Sequence, residues 1–182
     1  MRKKIWITSG AVVAVALGAY LFVGGNDKET PTASDTSDVK QLVQQYSSSS
    51  MNNLSASITS EQLVVTDSNN KSTTYDLPKD EFFVSIAPYV KNTHPCATHS
   101  LTGCQGELTE QEFSVTIEDT EGNVIVDQTM KSQSNGFIDL WLPRDKKYNV
   151  TIEQNGVKAK AEISTFKSDN TCVTTMQLVD SI

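Results

Sequence analysis

The fold of this protein is decided by one stretch of sequence, which reads Tyr148-Asn149-Val150-Thr151-Ile152-Glu153-Gln154-Asn155-Gly156-Val157-Lys158-Ala159-Lys160-Ala161-Glu162-Ile163. Apolar and polar side chains alternate on both sides of Asn155-Gly156, and this dipeptide is typical of a two-residue β-hairpin turn. Alternation with a period of two puts all the apolar side chains on one face of a sheet. The stretch therefore predicts an antiparallel hairpin with one buried and one solvated face.

The same pattern continues outward from this hairpin. Phe113, Val115 and Ile117 alternate with polar residues, and a further strand at 124–130 follows a Gly-containing turn. Residues 137–142 are apolar on both faces apart from Asp139, which predicts a central strand. Another strand is predicted at 82–87, and a last strand is predicted to begin at Cys172 with Met176 on the same face. Short strands at regular spacing predict a mainly β protein, with an antiparallel β-sandwich of the carboxypeptidase-regulatory or Ig-like type over residues 79–182.

A small α+β subdomain is predicted at 38–78. Val39, Leu42, Val43 and Tyr46 recur at helical spacing, and Ser37 is a candidate N-cap. Two strand-like pieces at 62–66 and 72–77 flank a turn-rich cluster and predict a hairpin. A unit of this size does not bury enough surface to be stable alone, so we expect it to pack on the sandwich or on a second copy of the chain, a homodimer.

The N-terminus predicts export from the cytoplasm. Arg2, Lys3 and Lys4 precede a largely apolar run at 5–23, which is the pattern of a signal peptide or a membrane anchor. Residues 1–25 are therefore assigned to a signal or anchor segment, with cleavage after Gly25 and retention as a membrane tether both open. The polar, Pro-containing segment at 26–37 is predicted to be a flexible linker.

Charge and cysteine content limit the function. The net charge is −7, and the N-terminal segment contributes three positive charges, so the exported part is more acidic still. An acidic surface argues against nucleic acid as a partner. Three cysteines cannot all pair within one chain, so at least one thiol is left without an intramolecular disulfide. Metal binding, an intermolecular disulfide or a redox function would explain such a thiol.

One short segment contains most of the residues that bind soft metals. It reads His94-Pro95-Cys96-Ala97-Thr98-His99-Ser100-Leu101-Thr102-Gly103-Cys104, and it holds both histidines and two of the three cysteines of the chain. With Cys172 it can supply three thiolates and one or two imidazoles, a set that favours Cu(I) with Zn(II) as competitor. A disulfide that closes the loop or joins it to Cys172, and thiol–disulfide exchange, remain open. Met176 can add a thioether or fill the core.

A set of motifs spread over roughly 39–178 includes all three cysteines. These motifs are His94-Pro95-Cys96, His99-Ser100-Leu101-Thr102-Gly103-Cys104-Gln105-Gly106-Glu107-Leu108, Phe83-Val84-Ser85-Ile86-Ala87-Pro88-Tyr89-Val90, Asn135-Gly136-Phe137-Ile138-Asp139-Leu140-Trp141-Leu142-Pro143-Arg144-Asp145, Ser164-Thr165-Phe166-Lys167 and Thr171-Cys172-Val173-Thr174-Thr175-Met176-Gln177-Leu178. In these motifs the sequence resembles the CueP family of periplasmic copper-binding proteins.

The resemblance implies an envelope protein that binds copper through Cys96, Cys104 and Cys172, with His94 and His99 as further candidate ligands. It also implies a part in copper resistance, supply of copper to a periplasmic copper–zinc superoxide dismutase, and thiol-dependent reduction of Cu(II). We therefore expect a periplasmic copper chaperone or buffer rather than a turnover enzyme, because both histidines lie in the cysteine segment and leave none for a Ser/His/acid site. Thiol–disulfide oxidoreductases are expected partners. The alternatives are a thiol–disulfide redox protein and a structural β-sandwich module with a disulfide.

Overall fold

A computed structural model describes residues 36–48 and 53–180 of the chain. The predicted signal or anchor segment at 1–25, and the predicted linker apart from its last two residues, lie outside the described residues. The elements in chain order are α1 (Thr36–Ser48), β1 (Leu54–Ile58), β2 (Gln62–Asp67), β3 (Ser72–Asp76), β4 (Glu81–Ile86), β5 (His99–Ser100), β6 (Glu112–Asp119), β7 (Val124–Lys131), β8 (Ile138–Pro143), β9 (Lys147–Gln154), β10 (Val157–Ser164), β11 (Cys172–Val173) and β12 (Val179–Asp180).

Two sheets form the predicted sandwich. One has five strands in the order β12-β10-β9-β6-β7, and the other has three in the order β11-β4-β8. Their facing side chains make a single buried cluster that includes Phe82 and Val84 of the smaller sheet and Phe113, Tyr148 and Val150 of the larger. The prediction of a mainly β protein with antiparallel sheets is confirmed.

The β9–β10 hairpin has the turn that its sequence predicts. Gln154 pairs with Val157, so Asn155 and Gly156 are the two turn residues. Both have positive φ, 51° at Asn155 and 86° at Gly156, as a type I′ turn requires. This turn matches the twist of the flanking strands, and it sets the register that buries Val150 and Ile152 on the inner face.

Two details of the smaller sheet differ from the prediction. The central strand is β4, and β8 is at the edge. The apolar composition of β8 on both faces arises because the N-terminal unit covers the outer face, where Trp141 packs against Phe83. The strand at Cys172 is only two residues long and pairs in parallel with β4, and the last strand is β12 instead. Met176 lies between them, outside either strand, with its side chain in the sandwich core.

The N-terminal unit packs on the outer face of the three-stranded sheet. Its four strands have the order β3-β2-β1-β5, and the predicted helix and hairpin are both present. Val39 and Val43 of α1 are buried in a cluster that also contains Phe83 and Leu101. The edge strand β5 belongs to the His94–Cys104 segment, which was not predicted to join a sheet. The N-terminal unit and the candidate metal segment are therefore parts of one hydrogen-bonded structure.

Candidate metal centre

One carboxylate binds three consecutive backbone N–H groups in the segment between β4 and β5. Glu107 accepts hydrogen bonds from the backbone N–H groups of Val90, Lys91 and Asn92 at 2.7, 2.9 and 3.2 Å. These three bonds hold the pKa of Glu107 below its usual range, and the bond from Lys91 has the largest effect. Three donors on one carboxylate fix the course of the chain just before the candidate ligands begin.

Cys172 reaches the segment through strand pairing. The parallel pairing of β11 with β4 places Cys172 beside Ser85, and the backbone N–H of Cys172 donates to the carbonyl of Ala97 at 3.1 Å. The neighbouring Thr171 hydroxyl accepts from the backbone N–H of His99 at 3.0 Å and donates to the carbonyl of Ile58 at 2.6 Å. Hydrogen bonds to the backbone, two of them made by the Thr171 hydroxyl, therefore bring residues from distant parts of the sequence together.

Four of the five predicted ligands converge. The ligand atoms of Cys96, His99, Cys104 and Cys172 all lie within 4.8 Å of one another. The Sγ atoms of Cys96 and Cys104 are 3.5 Å apart, and Sγ of Cys172 is 3.5 Å from Nδ1 of His99. Two metal–sulfur bonds of about 2.3 Å separate two sulfurs by at most roughly 4.6 Å, so small shifts suffice for these atoms to share one ion.

The fifth predicted ligand, His94, is not part of this cluster. Its ring is half-buried, and the ring centroids of His94 and Phe137 are 6.5 Å apart. His99 contacts the same Phe137 ring, with a centroid distance of 4.4 Å. His94 also contributes a weak interaction that lowers the pKa of Cys104. It therefore lies next to the cluster, where it can influence the cysteines without being one of the four converging groups.

The three cysteines are free thiols with different acidities. Hydrogen bonding from the Cys172 thiol holds the pKa of Cys104 well below its usual range, and the backbone N–H of Ser100 acts in the same direction. The pKa of Cys172 is raised by its interaction with Cys104 and by burial, while burial is the largest cause of the raised pKa of Cys96. The directions of these shifts favour Cys104 as the thiolate of the cluster.

The cluster is partly shielded and partly open. Cys172 packs with Ala87 and Phe137 in a small apolar cluster, and His99 is fully buried. Cys96 and Cys104 are only partly buried, and Cys96 lines a surface cleft together with Cys172, Asp169 and Thr174. The cysteines can therefore be reached from this side, while the imidazole cannot.

Two polar side chains behind His99 were not predicted as part of the site. The Ser85 hydroxyl is 3.3 Å from Nε2 of His99 and donates to Oδ1 of Asp139 at 2.5 Å. Asp139 is the one acid in an otherwise apolar strand, and that exception is the signal in the sequence that could have identified it. Ser85 is fully buried and its proton is directed at Asp139, so the three groups do not have the arrangement of a hydrolase triad, in which histidine lies in the middle.

The fold and the site together define a β-sandwich protein with a cluster of three cysteines and one histidine, the ligand types that bind soft and borderline metals. The family model described as "Periplasmic copper-binding protein CueP" matches residues 38–177. The crystal structure described as that of "S.CueP" superimposes with a TM-score of 0.73 and 39% sequence identity, covering 78% of this chain and 88% of that chain. A search of curated proteins finds no match.

The chain belongs to the CueP family of periplasmic copper-binding proteins. The predicted resemblance is therefore confirmed, and copper binding and a periplasmic location are the properties that the family implies. In the part of the chain that the structure describes, no helix has the length and apolar character needed to span a membrane.

Proposed function

We propose that this protein is a Cu(I) chaperone or buffer of the periplasm, with Cys96, Cys104, Cys172 and His99 as the copper ligands. The observation that carries the proposal is the convergence of these four ligand atoms from two separate parts of the chain, the His94–Cys104 segment and Cys172. Copper is the cargo of such a protein. The sulfurs of Cys96 and Cys104 are half-buried, so copper would enter and leave the site on their side of the cluster.

The choice of Cu(I) rests on ligand chemistry together with family membership. Thiolates favour Cu(I), but three cysteines and one histidine are also a common set for structural Zn(II). The two ions differ in the ligand number and geometry that they require. Zn(II) in such a site requires four ligands in a tetrahedron, whereas a soft monovalent ion gains most from the thiolates. Loss of His99 should therefore cost Zn(II) more than Cu(I).

Reduction of Cu(II) follows from the same thiols. Cys96 and Cys104 have their Sγ atoms 3.5 Å apart, and a shift to about 2.05 Å makes a disulfide. When the Cys96 thiol and the Cys104 thiolate together lose one proton and two electrons they form this one S–S bond, and the two electrons reduce two Cu(II) to two Cu(I). Cys172 and His99 then remain to hold metal, with lower affinity. This chemistry consumes thiols, so the protein acts stoichiometrically and is not a turnover enzyme.

Two partners are part of the proposal. A thiol–disulfide oxidoreductase would regenerate the thiols after Cu(II) reduction, and the partial exposure of Cys96 allows the attack that exchange requires. A periplasmic copper–zinc superoxide dismutase is the proposed acceptor of the copper. Support for this acceptor comes from the family resemblance, and its test is transfer of copper from the loaded protein to metal-free dismutase, measured as dismutase activity against a Cys172→Ser control.

The deciding experiment is a competition between Cu(I) and Zn(II) for the fully reduced protein. Equal concentrations of both ions are offered under anaerobic conditions, with a chromophoric Cu(I) chelator as reporter and bound metal counted by mass spectrometry. We expect one Cu(I) per chain and displacement of Zn(II). Retention of Zn(II) in the presence of free Cu(I) would overturn the copper proposal.

The 3.5 Å separation of Cys96 and Cys104 also favours a second candidate, a thiol–disulfide redox protein. This candidate requires the protein to exchange electrons with other protein disulfides in the absence of metal. Reduction of a model disulfide substrate, followed with and without bound Cu(I), separates the two functions. Activity that copper does not block would support the redox function, since a bound thiolate cannot attack a disulfide.

A further inference from the structure

We propose that Asp139, acting through Ser85, is a positioning residue that holds His99 in the tautomer with the proton on Nε2, so that the lone pair of Nδ1 faces Cys172. The inference rests on the proposed function only in assigning His99 to copper. The orientation itself is a property of the metal-free protein and can be tested there.

The residues concerned lie in a row across the three-stranded sheet. Cys172 of β11 pairs with Ser85 of β4, and Ser85 pairs with Asp139 of β8. Directly paired residues on neighbouring strands have their side chains on the same face of the sheet. His99 lies over this row, with Nδ1 3.5 Å from Sγ of Cys172 and Nε2 3.3 Å from Oγ of Ser85. The sheet therefore offers one partner to each nitrogen of the ring.

The direction of each hydrogen bond follows from Asp139. The carboxylate oxygens of Asp139 accept from the Ser85 hydroxyl at 2.5 Å, from the Ser47 hydroxyl at 2.6 Å and from Nε2 of Gln133 at 2.8 Å. The one hydroxyl proton of Ser85 is thereby used. Oγ of Ser85 can then serve His99 only as an acceptor, which requires a proton on Nε2 and leaves Nδ1 without one.

Burial makes this constraint strict. His99 and Ser85 are both fully buried, and the imidazole ring lies between Phe83 and Phe137 with centroid separations of 6.3 and 4.4 Å. If the proton were on Nδ1, the lone pair of Nε2 would face the Ser85 oxygen and receive no hydrogen bond, because the Ser85 proton is donated to Asp139. An unpaired polar atom in such surroundings is costly, so the alternative tautomer is suppressed. Histidine ligands in metal sites are commonly oriented in this manner by the partner of their second nitrogen.

Asp139 also connects the site to the N-terminal unit. Ser47, which donates to Asp139, is in the last turn of α1 and is 97% buried (3% exposed). The same carboxylate therefore bonds α1, the loop at Gln133 and the Ser85 that faces His99. The Asp139 side chain therefore contributes both to the packing of α1 on the sheet and to the orientation of the His99 imidazole.

The test uses reduced, metal-free, full-length protein. Long-range proton–nitrogen NMR spectra report the tautomer of a histidine directly, and a His94→Ala background leaves His99 as the only histidine. We expect the Nε2-protonated form in this background. Ser85→Ala should give a mixture of tautomers. Asp139→Leu should favour the Nδ1-protonated form, because the freed Ser85 hydroxyl can then donate to Nε2.

Two further variants separate positioning from folding. Asp139→Asn retains an oxygen that accepts from Ser85, so it should keep the Nε2-protonated form. Ser132→Ala removes another buried serine, whose hydroxyl bonds Leu108 at 2.6 Å outside this network, and should lower stability without changing the tautomer. If Asp139→Leu does not fold, Ser85→Ala is the smaller change and decides the question.

The same variants are then titrated with Cu(I). Ser85→Ala should bind Cu(I) up to about tenfold more weakly, the lower end of the usual effect of removing the partner of a ligating histidine, and no more weakly than His99→Ala does. Ser132→Ala should bind as the parent does. A parent spectrum with the proton on Nδ1, an unchanged tautomer in Ser85→Ala, or a changed tautomer with unchanged Cu(I) affinity would each overturn the inference. A parent protein that binds no Cu(I) would instead overturn the proposed function, since the tautomer is measured without copper.

Discussion

Sγ of Cys172 lies 3.5 Å from Nδ1 of His99, although the two residues are 73 positions apart in the chain. The contact depends on the parallel pairing of β11 with β4 and on the bond from the backbone of His99 to the Thr171 hydroxyl. It joins the last part of the sandwich to a strand of the N-terminal sheet. The candidate metal centre is thus built where the two halves of the protein meet.

Replacement of Cys172 by serine tests this junction. A hydroxyl is a poor ligand for a soft ion, so we expect Cys172→Ser to weaken Cu(I) binding at least about tenfold, or ~1.4 kcal/mol. The measurement is competition with a Cu(I) chelator. Val173→Ala, in the same short strand but packed on the sandwich core, is the control and should bind normally. A folded Cys172→Ser protein with wild-type affinity would limit the site to the His94–Cys104 segment.

The two histidines offer a matched pair of substitutions. His99 belongs to the converging cluster and His94 does not, so His99→Ala should weaken Cu(I) binding more than His94→Ala. Both effects should be smaller than the loss of a cysteine, because the thiolates supply most of the affinity for Cu(I). The chelator competition measures both variants under the same conditions. Equal effects from the two, or a larger one at His94, would contradict the geometry.

The pKa shifts predict how binding depends on pH. The raised pKa of Cys96 and of Cys172 keeps both protonated at neutral pH, whereas Cys104 is already a thiolate. Coordination by all three sulfurs then releases about two protons, and affinity should rise with pH until the raised pKa values are passed. Calorimetry in buffers of different ionisation enthalpy counts these protons. A count of zero would argue against coordination by Cys96 and Cys172, the two sulfurs that must lose protons to bind.

The core of the sandwich can be tested at Val150. Its side chain is 1% exposed, so Val150→Asp buries a carboxylate without a partner and should destabilise the protein by more than about 4 kcal/mol, or prevent folding. The neighbouring Asn149 points to solvent in the same strand, and Asn149→Asp serves as the control of equal charge. Chemical denaturation measures both. A Val150→Asp protein as stable as Asn149→Asp would contradict the strand assignment.

Export is a prediction of the N-terminal sequence. Fusion after Ile182 of an enzyme that is active only outside the cytoplasm should give activity, because the basic residues and apolar run at the N-terminus direct translocation. A well-folded but inactive fusion would count against export. Mass spectrometry of the mature chain then distinguishes cleavage after Gly25 from an N-terminal membrane anchor.

The sequence by itself determined the sandwich and the identity of the candidate thiol ligands. Period-two alternation and the Asn155-Gly156 turn are local properties, so strands such as β9 and β10 and their inner faces could be predicted from them. Clustering of histidine and cysteine at 94–104 identified the metal segment for the same reason. Copper was suggested by ligand softness and by family motifs, both of which can be seen without coordinates.

Only the tertiary structure decided which groups meet. His94 and His99 both lie within three residues of Cys96 in sequence, but only His99 belongs to the cluster, because it lies in a strand that pairs with β1. The position of β8 at the sheet edge, and the contacts of Asp139 with Ser85 and Ser47, depend on how the N-terminal unit covers the sheet. Pairing between distant strands and the burial it causes are not encoded in local periodicity, so sequence patterns cannot predict them.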